Sequence, residues 1–127
     1  MKVPFEYAVL RVVPRVERGE SVNAGVVVYC RDRGYLGARV ALDVDRVRAL
    51  DPGVDVAAVG AVLHAATLTC DGTGGPATGD DIGRRFRWLT APRSTVVQPG
   101  PVHTGLTDDP AAELDRLLQV LVAPVAG

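Results

Sequence analysis

The chain has 127 residues, of which 47% are apolar and 23% charged, and its formal net charge is −1. That make-up belongs to one soluble globular domain with a real core, and near-neutrality excludes a chain-wide electrostatic pull on nucleic acid or membrane. No stretch reaches the ~20 apolar residues of a bilayer-spanning helix, and Glu6 and Arg11 interrupt the N-terminal run MKVPFEYAVLRVV where a signal peptide would be unbroken, so a cytoplasmic location is expected.

Phe5 to Val13 is rich in β-formers, and both of its alternating sets are partly apolar, which predicts a central strand. Pro14 ends it, and Arg15 to Glu20 is a charged connection turning at Gly19. Ser21 to Cys30 predicts a second strand with Asn23, Gly25, Val27 and Tyr29 on one face; a glycine inside a strand marks a bulge or a close backbone approach. After the turn at Asp32-Arg33-Gly34, Tyr35 to Leu42 completes an antiparallel meander. Asp43 or Asp45 then caps a short helix carrying Val44, Val47 and Leu50, stopped by Asp51-Pro52-Gly53.

Asp55 caps a second helix to about Thr69, with Val56, Val59, Val62, Leu63 and Ala66 on its inward stripe. Residues 71–79, DGTGGPATG, read as a mobile loop that lacks the pattern of a phosphate-binding loop. Asp80 or Asp81 caps a third helix in which Phe86 and Leu89 serve the core, and the proline-rich turn that follows is expected to frame Trp88 in the core. Ser94 to Gln98 and Val102 to Gly105 are short strand candidates around Pro99-Gly100-Pro101. Asp109-Pro110 opens a last helix with the stripe Leu114, Leu117, Leu118, Leu121 and Val122. The expected fold is α+β: an antiparallel sheet of about three to five strands with about four helices, in a single domain.

Chemistry-capable side chains concentrate in two stretches. Arg11, Arg18, Glu20 and Asn23 lie in the first; Arg93, Ser94 and His103 lie in the second. Forked guanidiniums suit a carboxylate or phosphate, Asn23 suits a polar ligand, and Glu20 or His103 could act as acid or base. The alternative is structural, with Arg18 and Glu20 as a turn ion pair and Asn23 bonded to backbone. Arg84, Arg85, Arg87 and Trp88 make a second, nucleic-acid reading, against which stand the neighbouring Asp80 and Asp81 and the single Trp. Cys30 and Cys70 are isolated and read as reduced structural thiols. No metal-ligand spacing appears and no cofactor is expected.

LRVVPRVERGESVNAGVVVYC followed by GRRFRWLTAPRSTVVQPGPVHTG resembles the bacterial family catalogued as domain of unknown function 3037. Arg11, Pro14, Arg18, Glu20, Asn23 and Gly25 match its first motif, and Arg93, Ser94, Pro99 and His103 its second. The resemblance carries no activity. It implies a small stand-alone bacterial protein, and a HipA-like kinase protein as partner, because members are often encoded beside one. The expected function is a non-catalytic accessory module whose two polar stretches converge on one anion-accepting pocket. An enzyme acting on an anionic small molecule is the alternative.

Overall fold

The computed structural model describes residues 1–125. Ten elements follow in the order β1 (Val3–Val12), β2 (Val22–Cys30), a 3-10 turn (Arg31–Arg33), β3 (Tyr35–Val40), α1 (Val44–Leu50), α2 (Val56–Asp71), α3 (Ile82–Thr90), β4 (Val97–Pro99), β5 (His103–Thr107) and α4 (Pro110–Leu121). The expected α+β fold is present, with five strands and four α-helices among the described residues. The strands run β3-β2-β1-β4, all antiparallel, with β5 paired to the same side of β1 as β4. The helix starts have a local cause. Asp43, Asp55, Asp81 and Asp109 each accept the amide three residues on, at 2.9–3.1 Å, which satisfies an otherwise orphaned donor.

The sheet carries a core on each face. On one, Val47, Val59, Leu63, Ala66, Phe86 and Leu89 from α1–α3 pack against Leu10, Val12, Ala24 and Val27. On the other, Leu114, Leu117 and Val122 pack against Phe5, Val26, Val28 and Cys30. Alternation along β1 divides its side chains between the two cores, and both of its alternating sets are apolar because both faces of the strand have core to build.

Four expectations need correction. Asn23 does not share a face with Val27 and Tyr29. Leu10 pairs with Gly25 and Arg11 with Asn23, so Ala24 is an extra residue and β2 bulges there. The bulge switches parity: Val22 and Ala24 join Val27 on the α1–α3 face, and Asn23 turns to α4, where its Nδ2 donates to the Leu121 carbonyl at 3.0 Å. Val62 is 53% exposed instead of facing the sheet, because the inward side of α2 is set by Val59, Leu63, Ala66 and Cys70. Trp88 is 39% exposed, outside the core, since Phe86 and Leu89 fill the inward side of α3. The strand expected over 94–98 is shorter and later, so Ser94 lies in the connection before it.

Candidate functional site

The edge beyond β1 is built by the proline-rich turn. The Val13 amide donates to the Val96 carbonyl at 2.6 Å and the Gly100 amide to the Val9 carbonyl at 2.7 Å. By alternation, Val97 and Pro99 turn their backbones outward. Thr95 Oγ1 donates to the Val97 carbonyl at 2.8 Å, and Pro99 has no N–H to offer.

On the α4 side of the sheet, Tyr7, Val9 and Arg11 follow one another along β1. His103 is paired with Tyr7 and Gln98 with Arg11. The helix α4 lies across β2 and β3, leaving Tyr7, Arg11 and Gln98 half-buried and His103 exposed. The His103 and Tyr7 rings stack with centroids 5.2 Å apart. The Arg11 guanidinium lies over Gly100: a Cβ there would come within 3.0 Å of Arg11 Cζ. Arg11 enters none of the ion pairs or side-chain hydrogen bonds formed among the described residues. It stands next to Asn23 across the β1–β2 pairing. Arg11, Asn23 and His103 therefore share one sheet face.

The other predicted residues lie elsewhere. Arg18 and Glu20 pair with each other in the exposed β1–β2 connection. The Arg18 hydrogen bond, and then its charge, hold the Glu20 carboxyl below the usual carboxylate range, which makes it a poor proton acceptor near neutrality. Ser94 is exposed in the connection before β4. Arg93 sits on the opposite sheet face from Arg11. Its guanidinium stacks over Trp88 at 4.5 Å from the ring centroid and donates from Nη2 to the Trp88 carbonyl and from Nε to the Ala91 carbonyl.

The arginines of α3 are each engaged. Arg84 faces Asp81 at 3.8 Å, Arg87 pairs with Glu6 at 2.9 Å, and Arg85 donates to the Thr69 carbonyl at 3.1 Å. No group of three or more metal-ligating side chains gathers among the described residues, and no described helix is long and apolar enough to cross a membrane.

Two cavities open on the α1–α3 side, of about 520 Å³ and 200 Å³. They share Val62, Arg93, Thr95 and Val97 and so form one groove between α2 and the 93–97 segment. Of the seven residues singled out from the sequence, only Arg93 lines it. The signal that could have found the groove is in α2, which has no charged residue from Val56 to Cys70 and so does not mark its solvent side. Tyr7 and Gln98 are further additions. Tyr7 was legible from the two-residue period it shares with Arg11; Gln98 was legible as a polar residue of the second stretch, but its place beside Arg11 needed the pairing with β4.

A family model described as "Protein of unknown function (DUF3037)" matches residues 7–122. No curated protein and no solved structure matches the chain.

Proposed function

As a member of the DUF3037 family over residues 7–122, the chain is, we propose, a non-catalytic interaction module that receives an anionic group of a partner protein, a carboxylate or phosphate, at Arg11. The observation that carries this reading is that Arg11 is half-buried, with its guanidinium against Gly100, and has no anionic partner among the described residues. A partly desolvated cation gains more from an incoming anion than a fully solvated one, and the guanidinium fork suits both candidate groups. Gly100 seats the guanidinium: without a Cβ its backbone lies against one face of the group, where a Cβ would come within 3.0 Å of Cζ. Gln98, Asn23, Tyr7 and His103 supply polar and aromatic surface on the same face. Asn23 holds α4 through Leu121, so its part is to position the rim. An acid–base role for Glu20 has less support, given its ion pair and its depressed pKa.

The partner suggested by the family resemblance is a HipA-like kinase protein, and the purified kinase is the probe. Isothermal titration should give micromolar or tighter binding that weakens with added salt, as expected for a charge-steered contact. Arg11→Gln should weaken it by about tenfold or more. Equal affinity for wild type and Arg11→Gln would remove Arg11 as the receiving group. Absence of binding at micromolar concentrations would remove the kinase as partner.

A further inference from the structure

We propose that the groove between α2 and the 93–97 segment is a second binding site, for a small apolar carboxylate whose body fills the groove and whose carboxylate meets Arg93. The combined space, about 520 Å³ and 200 Å³, falls in the range of small-molecule pockets, which are mainly apolar with few placed polar groups. The rim is unusually apolar: Val62, Trp88 and Val96 are 53%, 39% and 37% exposed.

Charge placement selects the ligand. In the smaller cavity Arg93 is the single charged lining residue, beside Leu10, Ala66, Trp88 and Leu89. The larger cavity adds Asp51 and Asp55, which repel an anion. An acid therefore enters with its carboxylate toward Arg93 and its apolar body along the groove. Arg93 is already oriented. The Trp88 ring and the carbonyls of Trp88 and Ala91 hold it through one face, Nη2 and Nε, and Nη1 has no protein partner among the described residues. A pre-oriented guanidinium loses little freedom on binding. This site is on the opposite sheet face from Arg11, so the two readings stand or fall separately.

Trp88 is the protein's one tryptophan and sits at the groove, which makes its emission a direct reporter. The probe is octanoate, with octanol and octylamine as head-group controls. Octanoate should change Trp88 emission saturably at sub-millimolar concentration, and both controls should bind about tenfold more weakly or worse. Arg93→Gln alters the stack on Trp88, so its binding is read by calorimetry, where Kd should rise about tenfold or more. Val62→Asp places a carboxylate at an exposed wall shared by both cavities and should abolish octanoate binding with an unchanged circular dichroism spectrum. The proposal is overturned by any of three results: no saturable response at millimolar octanoate, equal affinity for the three head groups, or wild-type affinity in either folded variant.

Discussion

Arg11, Arg18 and Arg93 look alike in the sequence and do different work. Arg18 is spent on its neighbour Glu20, Arg93 is braced by Trp88, and Arg11 is left unpaired on the sheet among the described residues. The difference lies in what the chain brings opposite each one. Burial makes a similar distinction for Cys70. Desolvation, and then the nearby Asp71 charge, push its thiol up to about 12. In the unfolded chain a thiol titrates near ~8.5. Between these values the unfolded state has lost the proton that the folded state keeps, so stability falls as pH rises through the window. Below it the two states bind the same proton and the effect vanishes. Tyr35, also raised by burial, adds to the loss at higher pH. Urea melts from about pH 8 to 11 should therefore show a decline that is shallower in Cys70→Ala than in wild type. Identical pH slopes for the two proteins would contradict this account.

At the scale of elements, local signals were legible and pairing signals were not. The aspartate caps, the leucine stripe of α4 and the β-rich runs lie within a few residues of what they control, and each element they predict is present. The bulge at Ala24 depends on how β2 meets β1, and one added residue reverses every side chain before it. That is why Asn23 could be named as polar and placed near Arg11 in sequence, yet assigned the wrong face. Gly25 was legible as a close approach: a Cβ there would lie 2.9 Å from Val40 Cγ1 and 3.0 Å from the Arg39 carbonyl oxygen. Backbone on one side gives little room to relax, so Gly25→Ala should cost about 1–3 kcal/mol, measured by urea denaturation. A change within error of zero would mean that β3 moves away freely. The outer side of β4 carries its own protection: Pro99 lacks a donor, and Thr95 occupies the Val97 carbonyl, which blunts it as a template for another strand.

For the whole molecule, the two polar stretches were visible from composition alone, but their meeting was only partial. Strand pairing brings His103 and Gln98 alongside β1, so Arg11, Asn23 and His103 share a face. Arg93 goes to the other side because it precedes β4 and follows α3, both of which belong to the groove. No local pattern announces that division; it follows from where β4 enters the sheet. The same placement governs how the protein is made. The strand β1 is synthesised well before β4 and β5, yet these complete one of its sides, with Val3 waiting for Thr107. Residues through Thr107 must leave the ribosome before β1 is fully paired, and until then the apolar side chains of the β1–β2 hairpin stand next to an open edge. Closing contacts this distant in sequence is slow. Refolding followed by Trp88 emission should therefore fall in the range of milliseconds to seconds, and a microsecond phase carrying the full amplitude would contradict it. A nascent chain stalled before β5 should be the form of this protein most in need of a chaperone.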